Sequence, residues 1–126
     1  MADILYIVVP CYNEEAVLPE TSRRLKEKLE GLMAAGKIAP ESRVLFVNDG
    51  SKDKTWEIIS QLHEQCPLFS GADLTRNRGH QNALLAGLMT AKDRCDMAIS
   101  MDADLQDDIN AVDAMVDKYY EGCDIV

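Results

Sequence analysis

The strongest constraint on the fold of this chain is a repeated alternation of short apolar strands with amphipathic helices. Apolar runs lie at 4–9, 44–47 and 96–100, with a weaker run at 71–74. The first two are continuous and rich in β-branched residues, which is typical of strands covered on both faces. Segments with apolar residues at helical spacing follow them, as at Leu18, Leu25, Leu29 and Leu32, at Trp56, Ile59 and Leu62, and at Leu84, Leu85 and Leu88. This order predicts parallel βαβ crossovers and an α/β fold in one domain, residues 1–126.

Glycines and prolines suggest where several elements end. Pro10 is expected to end the first strand, and the first helix is expected to run from about Glu15 to a stop at Gly36. Pro67 is expected to close the second helix. Residues 109–119 predict a last helix, and residues 124–126 look like a strand that is cut at its start. The predicted sheet is therefore truncated, and its open edge predicts a tendency to self-associate.

Composition narrows the class of protein. The chain has 126 residues, a net charge of -9 and 47% hydrophobic residues, as expected of one globular domain. Clustered basic residues are lacking, which argues against nucleic-acid binding. Neither a leader nor a membrane span is expected in these residues, since the first residues lack the pattern of a leader and no apolar run approaches the roughly 18 residues of a span. The four cysteines are scattered, so reduced thiols in a cytoplasmic protein are the expectation.

An Asp-x-Asp motif follows the fourth strand pattern. Asp102 and Asp104 come directly after the apolar run, and Gln106 lies two residues further on. Carboxylate and amide oxygens suit a hard divalent cation, Mg²⁺ or Mn²⁺, that shares its coordination with a phosphate. The alternative is a solvated turn that caps the helix starting near Ile109.

Polar residues also follow the first two strand patterns. Tyr12 offers an aromatic ring for stacking, and Glu14 offers a hydrogen-bond acceptor, although Asn13 as a simple helix cap is an alternative. Asp49 stands beside Gly50, which allows a ligand to approach the backbone closely. An ordinary turn, with Ser51 or Asp53 capping the next helix, is the alternative there.

The third strand pattern leads into Arg76, Arg78 and His80 around Gly79, at a helix N-terminus where phosphate is favoured. Solvated surface arginines, with His80 in a capping or packing role, are the alternative. Because ligands of open α/β sheets bind beyond the carboxyl ends of the strands, all four segments are expected to meet at one crevice. The net negative charge of the chain repels an anionic ligand. Its attraction to the crevice would therefore have to come from local groups, namely a metal ion and helix N-termini.

Four motifs together resemble the N-terminal, nucleotide-binding part of a family 2 glycosyltransferase with the GT-A fold. They are residues 8–15 (VVPCYNEE), 47–53 (VNDGSKD), 76–79 (RNRG) and 102–107 (DADLQD). The last motif, together with HQNAL at 80–84, most resembles the subgroup of dolichyl-phosphate mannose synthase and the bactoprenol glucosyltransferases. The resemblance implies a Rossmann-like, three-layer α/β/α sandwich with a mainly parallel sheet.

The resemblance also implies a role for each matching residue. The residues implied to bind the nucleotide-sugar are Pro10, Tyr12, Glu14, Asp49, Arg76 and Asp102. Those implied to bind the metal are Asp102, Asp104 and Gln106. Pro10, Tyr12 and Glu14 belong to the base and ribose region, whereas Asp49 faces the base edge, which is expected to be uracil.

The reaction implied is metal-dependent transfer of a hexose, with inversion, from a UDP-sugar to a polyprenyl phosphate during cell-envelope polysaccharide synthesis. The general base is expected outside this chain, as are the acceptor half and any membrane segments. The full-length enzyme is then expected at the cytoplasmic face of the membrane. The isolated chain is expected to bind the donor even if it is inactive in transfer.

Other functions stay open on the residues alone. A nucleotide-sugar-binding module without turnover would keep the same motifs. A haloacid-dehalogenase-like phosphatase also uses Asp-x-Asp, but its nucleophile would follow the first strand, where this chain has Pro10, Cys11 and Tyr12. A nucleotidyltransferase would need a Gly-rich basic signature after that strand. P-loop and dinucleotide-binding folds are disfavoured because their glycine motifs are missing.

Overall fold

A computed structural model describes residues 3–74, 79–91, 95–101, 103, 112, 114 and 116. In chain order its elements are β1 (Leu5–Cys11), α1 (Leu18–Ala34), β2 (Arg43–Asp49), α2 (Thr55–Gln65), β3 (Phe69–Leu74), α3 (His80–Ala91) and β4 (Met97–Ser100). The four strands form one sheet in the order β3-β2-β1-β4, and every neighbouring pair is parallel. The predicted α/β class and parallel sheet are confirmed.

β1 continues through Pro10, so the prediction that this proline ends the strand is wrong. Pro10 pairs with Val47, and Cys11 pairs with Asn48 on β2. The carbonyl of Val8 accepts a hydrogen bond from the amide of Met101, so alternate residues of β1 turn their backbone groups toward β4. The missing N–H of Pro10 therefore faces the β4 side, where the described pairing extends only to Ser100. The proline thus interrupts none of the sheet pairings among the described residues.

The first helix begins at Leu18, three residues later than predicted. Pro19 occupies its first turn, and the N-cap residue Val17 makes no side-chain capping bond, so Asn13 is not the helix cap. The predicted stop is confirmed, because α1 ends at Ala34 and Gly36 follows with φ of +75°. The second helix ends before Pro67, as expected.

The sheet has a different core on each face. The first face, which packs against α1 and α2, buries large side chains, including Leu5, Ile7, Leu25, Phe46 and Ile59. The second face packs against α3 and buries Tyr6, Val8, Leu45, Val47, Ala83 and Ala91. Gly87 brings α3 close to this second face, since a Cβ atom there would lie 2.5 Å from Val8 Cγ1 and 2.7 Å from Val47 Cγ2.

Parts of the predicted C-terminal structure are visible. Residues 112, 114 and 116 are helical, and Val112 and Val116 are buried in the first core, which fits the predicted last helix. The strand expected at 124–126 lies outside the described residues. Among the helices in the described part of the chain, none combines the length and apolar character that crossing a membrane requires.

Candidate functional site

The loops after β1 and β2 are joined by reciprocal hydrogen bonds. The backbone amide of Asn13 donates to Ser51 Oγ at 2.9 Å, and the backbone amide of Lys52 donates to Asn13 Oδ1 at 2.8 Å. Asn13 has a left-handed backbone with φ of +54°, a conformation that asparagine tolerates better than most residues. Asn13 therefore links the loops after β1 and β2 by hydrogen bonds. This contact explains why an asparagine occupies position 13 although it does not cap α1.

Two more backbone amides of the first loop reach the second. The Glu14 amide donates to Thr55 Oγ1 at 2.9 Å, and the Glu15 amide donates to Asp53 Oδ2 at 3.2 Å. We call residues 13–15 and 51–55 the loop clamp. It brings the first two predicted site segments together, as expected for adjacent parallel strands.

Asp53 serves both halves of the loop clamp. Its Oδ1 accepts hydrogen bonds from the Thr55 hydroxyl and, at 3.0 Å, from the Thr55 amide at the start of α2. Partial burial acts to raise the pKa of Asp53, but the hydrogen bonds from Thr55 and Glu15 outweigh it and hold that pKa below its ordinary value. The carboxylate form thus stabilises the loop junction, although the N-cap residue of α2 is Lys54 rather than the Asp53 or Ser51 of the sequence alternative.

Four of the predicted donor-binding residues stand at this junction. Pro10 is buried near the end of β1, whereas Tyr12 is 42% exposed just beyond it. Glu14 is partly buried in the loop clamp. Asp49, the last residue of β2, is only 2% exposed and is followed by Gly50 with φ of +66°. An exposed aromatic ring and a buried carboxylate thus flank the paired ends of β1 and β2.

A hydrogen bond between β2 and β3 extends this junction to a third strand. Asn48 Nδ2 donates to Asp73 Oδ1 at 2.8 Å, while Asn48 Oδ1 accepts from the Ser51 amide at 3.3 Å. Neither Asn48 nor Asp73 has a role that the sequence motifs imply. Each is a polar residue near the end of an apolar strand, but their contact depends on the β2–β3 register, which pairs these two residues.

The fourth segment is held by hydrogen bonds on each side of position 102, one to β1 and one to α1. The Met101 amide donates to the Val8 carbonyl at 3.1 Å, and Thr21 Oγ1 donates to the Ala103 carbonyl at 2.5 Å. Met101 and Ala103 are both buried. The chain therefore leaves β4 at the carboxyl edge of the sheet, next to β1, as predicted.

Several predicted residues are not part of the described structure. These are Arg76, Asp102, Asp104 and Gln106, together with Arg78. In the third segment, Gly79 is described with φ of +90° directly before α3. The proposed metal ligands supply carboxylate and amide oxygens, a donor set that fits Mg²⁺ or Mn²⁺. Within the described residues alone, no group of three or more His, Cys, Asp or Glu side chains is arranged to hold a metal.

Cys11, which follows Pro10 on β1, is buried and makes a thiol contact to the Val9 carbonyl. Burial, followed by the nearby charge of Glu14, raises the pKa of the Cys11 thiol far above its ordinary value. The thiol therefore stays protonated and unreactive at neutral pH. Among the described residues, Cys66 and Cys95 are also free thiols.

Comparison with known sequences assigns this chain to a family. The profile described as Glycosyl transferase family 2 matches residues 6–126. The uncharacterized glycosyltransferase YkoT of Bacillus subtilis (strain 168) is 51% identical over 98% of this chain and 36% of its own length. The bactoprenol glucosyl transferase of Shigella phage SfV is 38% identical over 95% of this chain and 36% of its own length. The chain thus spans about a third of these relatives.

Solved structures share the fold at low sequence identity. The mannosyltransferase PcManGT of Pyrobaculum calidifontis, in complex with GDP-Man and Mn²⁺, has a TM-score of 0.64 and 23% identity, covering 82% of this chain and 28% of its own. S. aureus TarS 1-349 in complex with UDP has a TM-score of 0.65 and 21% identity, covering 93% of this chain and 33% of its own. These matches confirm the predicted GT-A fold.

Proposed function

Because this chain belongs to glycosyl transferase family 2, we propose that it is the donor-binding part of an enzyme that transfers a hexosyl group from a UDP-sugar to a polyprenyl phosphate. The name of the phage relative, a bactoprenol glucosyl transferase, supports the acceptor class. The fold neighbours with bound UDP or GDP-Man support a nucleotide-sugar donor. The family match over residues 6–126 disfavours the alternatives with a different fold, such as the phosphatase.

The observation that carries this proposal is the loop clamp and what it flanks. It joins the loops after β1 and β2, so that exposed Tyr12, just beyond β1, and buried Asp49, the last residue of β2, stand at neighbouring strand ends. The Tyr12 ring can stack on a nucleobase, and Glu14 can accept a hydrogen bond from the ribose. The Asp49 carboxylate is suited to accept the imino N–H of uracil, which gives the site its preference for uridine. Pro10 supports this base pocket from β1.

The remaining assignments concern the diphosphate. Asp102, Asp104 and Gln106 would hold Mg²⁺ or Mn²⁺, which when bound neutralises charge on the departing nucleoside diphosphate. Arg76 would add a positive charge on the same side, and Asp102 would also face the ribose. These residues retain and orient the leaving group while the acceptor oxygen attacks the anomeric carbon from the opposite side, which inverts its configuration. An acceptor phosphate is already ionised, so it needs no strong general base.

The proposed setting is the cytoplasmic face of a membrane, in synthesis of cell-envelope polysaccharide. A chain with a net charge of -9 is repelled by an anionic bilayer. We therefore assign contact with the acceptor lipid to parts of the full-length enzyme beyond these residues. The donor site and the membrane contact are thus separate components, which can be tested separately.

The first test is calorimetric titration of the chain with UDP, GDP and ADP, each with and without Mn²⁺. We expect UDP to bind most tightly and Mn²⁺ to strengthen its binding. Asp49→Ala should weaken UDP binding by roughly 5- to 150-fold, since a lost hydrogen bond in a buried site costs on the order of 1–3 kcal/mol. Equal affinity of the unmodified chain for all three nucleotides would contradict the proposed donor.

The second test separates a transferase from a module that only binds nucleotide-sugars. The full-length enzyme is incubated with UDP-glucose, Mn²⁺ and a polyprenyl phosphate in detergent, and the glucosylated lipid is measured. We expect lipid product with the unmodified enzyme, and strongly reduced product with Asp104→Asn. Tight UDP-glucose binding without lipid product, across several hexose donors, would favour the binding module.

A further inference from the structure

We infer that the side chain of Asn48 is a positioning group for the donor site, and that it acts by tying the loop clamp to Asp73 on β3. This inference rests on the proposed function for the ligand involved. It adds a third strand end and two residues to which the sequence motifs assign no role. Neither residue is inferred to touch the reacting atoms.

The contacts form a continuous path across three strand ends. Asp73 Oδ1 accepts from Asn48 Nδ2 at 2.8 Å, and Asn48 Oδ1 accepts from the Ser51 amide at 3.3 Å. Ser51 Oγ in turn accepts from the Asn13 amide at 2.9 Å, and Asn13 Oδ1 accepts from the Lys52 amide at 2.8 Å. The path therefore runs from β3, through the turn after β2, to the loop after β1.

Because Asn48 is buried, its side-chain amide needs both of its hydrogen-bond partners. Asn48 is 3% exposed, and a buried polar group that loses its partner costs the full desolvation penalty. An amide side chain can donate and accept at once, whereas a carboxylate can only accept. A carboxylate at position 48 would face Asp73 without a proton between them, in a chain whose net charge is already -9.

The path ends beside the residues proposed to bind the nucleoside. Asn48 directly precedes Asp49 on β2, and Asn13 directly follows Tyr12. Movement of the turn at Ser51 would displace both neighbours together, because the loop clamp links the two loops. We therefore expect disruption of the Asn48–Asp73 pair to lower nucleotide affinity without abolishing the enhancement by Mn²⁺.

The experiment swaps the hydrogen-bond donor and acceptor between positions 48 and 73, and it measures UDP affinity in the presence of Mn²⁺ by calorimetry. Asn48→Asp places two carboxylates together and should weaken binding about tenfold or more at pH 7.5. Asp73→Asn keeps an acceptor oxygen and should stay within about threefold of the unmodified chain. The double variant restores a donor and an acceptor in reversed order, so affinity should return to within about threefold.

A pH series adds a readout that a packing defect would not move. In Asn48→Asp the two facing carboxylates raise the pKa of one of them, so the defect should shrink as the pH falls from 7.5 toward about 5. The double variant should show no such recovery. Asp96→Asn is the matched control, since Asp96 Oδ2 accepts from the Ile4 amide at 2.8 Å at the opposite end of the sheet. It should leave UDP affinity unchanged.

Two results would overturn the inference while the proposed function stands. One is unchanged UDP affinity in Asn48→Asp, and the other is a folded double variant that binds no better than Asn48→Asp. If the unmodified chain binds no nucleotide, the proposed function fails instead. Amide hydrogen exchange at Asn13, Glu14 and Lys52 tests the link between Asn48 and the loop clamp without nucleotide: we expect faster exchange in Asn48→Asp and recovery in the double variant, and unchanged exchange overturns the inference.

Discussion

The two faces of the sheet are built differently, although the same strands contribute to both. On the first face, α1 and α2 cover large side chains such as Leu5, Ile7 and Phe46. On the second face, α3 presents Ala83, Gly87 and Ala91 to the sheet. The stability of the first face therefore depends on large side chains that fill the space between the sheet and α1 and α2. The stability of the second face depends on the close approach of α3 to the strands.

The same division continues to the carboxyl ends of the strands. Because side chains alternate along a strand, Asn48 and Asp73 fall on the side of α1 and α2, while Pro10 falls on the side of α3. The first face thus carries the hydrogen bonds that hold the strand ends, and the second carries part of the proposed base pocket. We call the first face, under α1 and α2, the thick face, and the second face, under α3, the thin face. The thick face carries supporting contacts, and the thin face carries Pro10 of the proposed base pocket.

The largest expected effect tests the thick face. Phe46 is fully buried, and its ring stacks on Phe69 with centroids 5.8 Å apart. Phe46→Ala should lower the free energy of unfolding by about 3–5 kcal/mol, because it removes apolar contacts and leaves a cavity. Urea denaturation measures the change, with Phe46→Leu as the milder control. A loss below about 1 kcal/mol would mean that this core collapses around the gap.

The next prediction tests the thin face, and its control variant is expected to change the free energy of unfolding in the opposite direction. Gly87→Ala should destabilise by about 1–3 kcal/mol, because its Cβ would overlap Val8 and Val47. Gly31→Ala on α1 should instead stabilise by about 0.5–1 kcal/mol, since a Cβ there meets nothing within 4 Å and alanine favours a helix. Thermal unfolding of both variants measures the contrast. Stabilisation by both would show that α3 can shift away from the sheet.

Much of this fold could be predicted from periodicity alone. The apolar runs and helical spacings reflect burial on both sides of a sheet, so they predicted the order and type of the seven described elements. Pro10 was misread because the effect of a proline depends on how far the neighbouring strand extends, which a local pattern does not contain. The alternative role of Asn13 as a helix cap fails for a related reason, since its partners lie 38 and 39 residues away.

The candidate site was predictable where its residues follow strand ends. Convergence of the β1 and β2 loops follows from parallel pairing, and the structure confirms it through the loop clamp. The Asn48–Asp73 contact was not predictable, because it requires both the strand order and the register between β2 and β3. The assignments of Arg76, Asp102, Asp104 and Gln106 stay predictions. Motifs thus identify candidate ligand contacts, while the supporting contacts depend on the assembled sheet.

A smaller effect tests the loop clamp that joins the two loops. The hydrogen bonds from Thr55 and Glu15 hold the Asp53 pKa below its ordinary value, so the carboxylate stabilises the fold above the unfolded-state pKa, near 4. Asp53→Asn should cost about 1 kcal/mol at pH 7. The difference from the unmodified chain should shrink as the pH falls through the folded-state pKa, where Asp53 becomes protonated. Unfolding measured from pH 7 to pH 3 tests this, and a constant difference would contradict it.

The smallest effect concerns the outer surface of α3. Met89 is 65% exposed, and methionine and glutamine have similar helix propensities. Met89→Gln should therefore change the free energy of unfolding by less than about 0.5 kcal/mol. Leu88→Gln is the control on the same helix, because Leu88 packs partly against the second core and its replacement should cost more. If Met89→Gln proved as costly as Leu88→Gln, the thin face would extend around α3, and the contrast between the two faces would have to be redrawn.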